Sequence, residues 1–128
     1  MAQKDKNTHI IYNDSARGMA LIGDEVINTI AALAATEVEG VSSIAGGITF
    51  EKAARAGGRA LSKGVRTEIT DDTISVRLII IVKYDYSIPD VTMKVQERVK
   101  SALETMTGFR VKEVNVSVAD VQVETSAG

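Results

Sequence analysis

The sequence predicts an α+β fold: a single small domain with an α-β-β-α-β core and a short early strand, its two helices packed on one face of a mixed sheet. Three observations carry this reading. Apolar residues recur at helical spacing in two stretches, near 24–36 and 88–107. They alternate at strand spacing in three others, near 65–70, 74–84 and 110–118. A chain of 128 residues has room for one ordinary domain and not for two.

Residues 1–14 form a polar tail in which Ile10-Ile11-Tyr12 can make a short strand, and the domain proper spans 15–124, with 125–128 as a second tail. Gly18–Gly23 is short, apolar and bracketed by glycines, a strand that runs into a helix. In that helix Val26, Ile27, Ile30, Ala31, Leu33, Ala34 and Val38 make one apolar stripe. Gly23 or Asp24 caps its start, and Gly40 lies where a left-handed residue commonly closes a helix. Val41–Ala45 is a short strand stopped by Gly46-Gly47. The segment 48–64 reads as a variable basic loop, helical at most around 50–56, because Gly57-Gly58 interrupts it.

Val65–Thr70 and Ile74–Tyr84 form a hairpin around Asp71-Asp72. Ile74, Val76, Leu78, Ile80, Val82 and Tyr84 share one face of the longer strand, and Ser75, Arg77, Ile79, Ile81 and Lys83 the other. Ser87 caps the second helix, with Pro89 in the first turn, a stripe of Ile88, Val91, Val95, Val99, Ala102 and Met106, and Gly108 at its end. The last strand presents Val114, Val116 and Val118 on one face. The phase changes before Val121, which predicts a bulge near Ala119-Asp120.

Composition narrows the function. Without Cys the chain cannot form disulfides, thiolate nucleophiles or Cys-ligated metal sites. The single His9 lies in the polar tail, so no histidine cluster or dyad exists. Asp71, Asp72, Asp85 and Asp90 fall at turns and a cap, without the Gly-punctuated spacing of a calcium loop. We therefore expect no catalytic residues, no metal and no cofactor. A net charge of −2 gives no general attraction to nucleic acid. No aliphatic run, Leu78–Val82 included, approaches the roughly 20 residues that cross a bilayer, and no signal-peptide core opens the chain. The expectation is a cytoplasmic protein, and any peripheral membrane role would come through a surface or a partner.

Two candidate interaction surfaces remain. One is the pair Ile79 and Ile81 on the second face of the long strand. It is either an aliphatic strip open to self-association or partner docking, or a patch covered by Ile10–Tyr12. The other is the basic segment, where Lys52, Arg55, Arg59, Lys63 and Arg66 stand against Glu51 alone. It is either a solvated loop or a contact for anionic lipid, nucleic acid or an acidic partner. The strand at 111–118 can also be an edge that accepts a strand from another chain.

Gly18-Met-Ala-Leu-Ile-Gly-Asp-Glu-Val-Ile27, Ile30-Ala31 and Glu37-Val-Glu-Gly-Val41 resemble the N-terminal half of the alkaline shock protein twenty-three family. The resemblance continues through Gly46-Gly47, Lys63-Gly-Val65, Ile88-Pro-Asp-Val91, Val95-Gln-Glu-Arg-Val99, Met106-Thr-Gly108, Val114-Asn-Val116 and Val118-Ala-Asp-Val121. It covers about residues 17–121, and the specificity lies in the order and spacing of the motifs. The resemblance implies a non-enzymatic envelope-stress protein of Gram-positive bacteria, acting in cell-envelope homeostasis. It also implies a homo-oligomer brought to the membrane by a small membrane-anchored protein of the same family. Other branches imply a cytosolic regulatory module linked to fatty-acid metabolism. A nucleic-acid module is the remaining alternative for so small a fold.

Overall fold

A computed structural model describes residues 8–14, 18–46, 49–55 and 64–123. In chain order the elements are β1 (Thr8–Asp14), β2 (Gly18–Gly23), α1 (Asp24–Thr36), β3 (Val41–Ile44), α2 (Phe50–Arg55), β4 (Val65–Thr70), β5 (Thr73–Lys83), α3 (Ile88–Thr107) and β6 (Arg110–Gln122). This is the expected α+β class, with a β1–β2 hairpin added at the front.

The organising element is β5. Along one side it pairs in parallel with β6 over its whole length, Thr73↔Arg110 to Lys83↔Gln122. Along the other side β4 and β3 lie end to end, both antiparallel: β4 takes Thr73 to Leu78, and β3 takes Ile80 to Val82. Ile79 bridges the joint, its N–H donating to Gly64 O at 2.9 Å and its carbonyl accepting from Ala45 N–H at 2.8 Å. Gly64 is required there, because a Cβ would overlap Ile44 Cγ2 and come within 2.8 Å of Ala45 O. The sheet is mixed because a short hairpin turn makes β4–β5 antiparallel, whereas the helical crossover through α3 makes β5–β6 parallel. Asp71 opens the hairpin turn at φ 56°, a left-handed value that Asp tolerates.

One face of this sheet carries the core. Ile74, Val76, Leu78, Ile80 and Val82 are fully buried, as their alternation predicts, under α1 and α3. On α1 the buried set is Ile27, Ile30, Ala31, Ala32, Ala34 and Ala35. Val26 turns outward at 50 % exposure, although the periodicity placed it in the stripe. Alanines fill that face instead and let α1 lie close to its neighbours. On α3 the stripe runs Val91, Val95, Val99, Leu103, Thr107. Of the expected members, Ala102 is partly buried against the core, whereas Ile88 and Met106 are exposed, at 41 % and 63 %. Thr107 explains the phase: its hydroxyl donates to Leu103 O at 2.6 Å and accepts from Phe109 N–H at 3.0 Å, so it is buried with both roles filled. Ser87 and Gly108 cap α3 as expected, Gly108 in the left-handed region at φ 76°. Tyr84 lies beyond the end of β5 and is exposed.

The N-terminal stretch differs most from expectation. A strand covers Thr8–Asp14 and pairs with β2 in a separate two-stranded sheet. His9, read as a tail residue, is 7 % exposed and pairs with Asp24 at the start of α1. That contact occupies Asp24, and Gly23 takes the cap position without a side-chain bond. The predicted bulge is present, since the β5–β6 register skips Ala119. A second one, at Lys112, was not foreseen. Residues 1–7, 15–17, 47–48, 56–63 and 124–128 lie outside the described residues, and with them most of the expected loop at 48–64 and the expected tail at 125–128.

Candidate interaction surface

The face of the sheet opposite the helices is built by register. Ser75, Arg77, Ile79, Ile81 and Lys83 alternate along β5. From β4 it gains Arg66, opposite Arg77, and Glu68, opposite Ser75. From β6 it gains Glu113, Asn115, Ser117, Asp120 and Gln122, opposite Ser75, Arg77, Ile79, Ile81 and Lys83 in turn. Cations and carboxylates are mixed on this face, and a shallow polar hollow lies between Arg66, Arg77, Glu68 and Glu113.

Ile79 and Ile81 are half-buried at the centre of this polar field. Their strand neighbours are small or polar: Ser117 beside Ile79, and Ser43 and Asp120 beside Ile81. The segment Ile10–Tyr12 pairs with β2, which leads directly into α1. Arg66 shares the face with the isoleucines. Arg55 is exposed on α2, which packs against α1, so these two cations of the basic segment do not converge. Lys52 also lies on α2, and nothing is described of its side chain; Arg59 and Lys63 lie outside the described residues.

Further contacts lie away from these two surfaces, and Tyr86 among them was not singled out from the sequence. At the end of β5 that leads into α3, Tyr84, Tyr86 and Ile88 are exposed around Asp85, itself in the left-handed region at φ 75°. Tyr86 donates its hydroxyl to Glu39 Oε1 at 3.2 Å. That bond, and then the carboxylate charge, hold the phenol pKa above its ordinary 10.0. Neutral Tyr86 is thus favoured in the folded chain. Its contribution to stability is present at neutral pH and is lost as pH rises past 10.0 through the raised value. Ultraviolet titration of the phenolates should show one tyrosine lagging, and Glu39→Gln should bring it back down; an unchanged titration curve would remove this contact from the account. Arg98 pairs with Glu37 at 3.1 Å, joining α3 to the end of α1. At the rim of the sheet Ser42 donates to Gln122 Oε1.

Among the described residues no group of three or more His, Asp or Glu is placed to hold a metal ion. No described helix is long and apolar enough to cross a membrane.

Comparison with known proteins fits these observations. Residues 12–123 match the alkaline shock protein twenty-three family, described as having a cell envelope-related function. YqhY of Bacillus subtilis (strain 168) is 34% identical over 116 residues, covering 91% of this chain and 86% of YqhY. A stress response regulator gls24 homolog of Streptococcus pyogenes is 28% identical over 120 residues, covering 93% of this chain and 67% of that protein. Among solved structures, a MamM CTD variant in its copper form matches with a TM-score of 0.50 at 17% identity, over 78% of this chain and 100% of that one. At that identity the likeness concerns the fold alone. The chain belongs to the alkaline shock protein twenty-three family, whose function is related to the cell envelope.

Proposed function

We propose that this chain is a non-enzymatic scaffold of the cell envelope, which self-associates and is carried to the membrane by a protein partner. The observation that carries this reading is the open sheet face. A four-stranded sheet buries one side under α1 and α3 and presents the other as a flat polar field with Ile79 and Ile81 at its centre. An apolar centre with a polar rim is the usual anatomy of a protein-docking patch. Mixed charge on the rim suits a specific protein surface better than a uniformly anionic bilayer. The family description and the stress-regulator relatives support the envelope setting. The absence of Cys and the engagement of the only His with Asp24 leave little for catalysis to use. A small membrane-anchored protein of the same family is the partner that this reading assigns.

The purified chain alone should stay unbound in flotation with neutral vesicles and bind anionic ones at most weakly, with binding lost as salt rises. Added to membranes that hold the partner, it should co-sediment. Ile79→Lys with Ile81→Lys should leave the circular dichroism unchanged and abolish that capture. Burying two isoleucines contributes at most about 3–6 kcal/mol before association entropy is subtracted. Tight, salt-resistant binding to vesicles without any partner would overturn partner-mediated recruitment. Unfolding of the double variant would show the strip to be core.

A further inference from the structure

We propose that two copies of this chain join edge to edge through β6, in antiparallel register centred on Val116; this rests on the self-association in the reading above and names its interface. The first observation is a palindrome in the strand. Counting outward from Val116, valines stand at Val114 and Val118 and again at Val111 and Val121. A second strand running antiparallel with Val116 opposite itself sets every one of these valines against another valine. A shift of the two-fold centre by one residue sets Val114 opposite Asp120, or Val118 opposite Lys112. Such a shift slips the strands by two residues, so every side chain keeps its face, but valine–valine contacts give way to a valine set against a charged residue.

The two bulges obey the same symmetry. The β5–β6 register skips Lys112 near one end and Ala119 near the other. In the proposed register Lys112 faces Asp120, Glu113 faces Ala119 and Arg110 faces Gln122. The bulged segments Lys112-Glu113 and Ala119-Asp120 therefore face one another, and the Lys112–Asp120 pair forms twice with opposite charges. A two-fold interface uses one patch on both partners, so a self-complementary strand is what it needs.

The free edge itself shows where pairing can occur. Val111 N–H donates to Glu104 Oε2 at 3.1 Å, Val114 O accepts from Gln96 Nε2 at 3.2 Å, and Val121 N–H is held by Asp120 Oδ1 at 2.8 Å. These groups point away from β5, and alternation gives Val116 and Val118 the same outward direction. Among the described residues no side chain caps the outward groups of Val116 or Val118. The edge is thus blunted at its ends and open at its centre, where the two-fold axis would pass. Val114, Val116, Val118 and Val121 are half-buried on the helix side of this edge, and the facing valines of a second copy would cover them. Gln96 releases Val114 O as the strands pair.

Sedimentation velocity of the intact chain should show a concentration-dependent dimer. Lys112→Asp and Asp120→Lys, each on an exposed residue, should each weaken it by about tenfold, and the two together should restore it, because the charge pair is rebuilt in reverse. Val116→Cys should cross-link to itself under mild oxidation, since directly opposed Cα atoms in a hydrogen-bonded pair stand about 5.5 Å apart, within disulfide reach. The chain has no other Cys, and Thr70→Cys, at the end of β4, serves as the control that stays monomeric. If a charge variant fails to fold, amide exchange of the unaltered chain decides: the Val116 and Val118 amides should gain protection with concentration. A chain that stays monomeric, a dimer indifferent to the charge swap, or cross-linking no faster than at Thr70→Cys would overturn the interface. The proposed docking face is read separately. Ile79→Lys with Ile81→Lys should dimerise normally while losing membrane capture. A dimer broken by those lysines but not by the β6 variants would overturn this proposal and keep the scaffold reading.

Discussion

Val99→Asp should unfold the domain. Val99 is completely buried in the middle of α3, with Val95 and Leu103 equally buried one turn to either side. Among the described residues no buried side-chain nitrogen or oxygen is left without a hydrogen-bond partner to take up the new group, and no lysine or arginine is buried to receive a carboxylate. The new group must enter charged and unpaired or be protonated at the expense of pH-dependent stability, and the valine contacts vanish as well. Together these should remove upwards of about 4 kcal/mol, against a total stability on the order of 5–15 kcal/mol. Lys94→Asp, on the exposed side of the same helix, should move stability by about 0.5 kcal/mol or less. Thermal melts followed by far-ultraviolet circular dichroism compare the two. A Val99→Asp melt that overlays the unaltered chain would mean that α3 is rotated about its axis from the phase described.

That phase shows how far the sequence could be read. From Val91 to Val99 the apolar residues recur every four positions with nothing competing, and the buried stripe follows them. At the next step both Ala102 and Leu103 are apolar, so spacings of three and four are equally open. The choice of Leu103 and Thr107 is made by hydrogen bonds at the helix end, which hydrophobic periodicity does not carry. In β5 a period of two left no such ambiguity, and both faces were legible residue by residue. Pairing was harder. Alternation marks Ile10–Tyr12 as strand-like but does not say which strand it will join, and β1 chose β2. His9 carried no signal at all, because its burial depends on Asp24 fifteen residues away. At the surface, the central place of Ile79 and Ile81 was legible from the pattern of β5. The separation of Arg55 from Arg66 was not, since it depends on α2 packing against α1. The order of short motifs along 17–121 identified the family even though no single motif bears chemistry.

Gly40→Ala should be the most damaging of the small substitutions. Gly40 follows α1 at φ 100°, where a side chain is strained in any surroundings. A Cβ there would stand 2.7 Å from Val91 Cγ2 and 2.9 Å from Tyr86 Cδ2. The backbone has little freedom to retreat, because Gly40 O accepts from Lys83 N–H at 2.7 Å and Val41 N–H donates back to Val38 O at 3.1 Å. Val91 is itself a core residue of α3, so moving it loosens the packing of α3 against α1. Conformational strain of about 1–2 kcal/mol and overpacking of about 1–3 kcal/mol should add to a loss of roughly 2–5 kcal/mol. Gly108→Ala separates the two contributions. Gly108 has a similar left-handed backbone at φ 76°, but nothing lies within 4 Å of its missing Cβ, so only the conformational part should appear. A second comparison isolates the contact with Tyr86. In a Tyr86→Ala background part of the overpacking is relieved, and Gly40→Ala should cost less than it does alone, a coupling that a double-mutant cycle reads directly. Urea denaturation of the four chains of that cycle, with Gly108→Ala beside them, measures every term. Equal losses for Gly40→Ala and Gly108→Ala, with no coupling to Tyr86, would show that the close approach of α3 to the end of α1 is not what holds this junction.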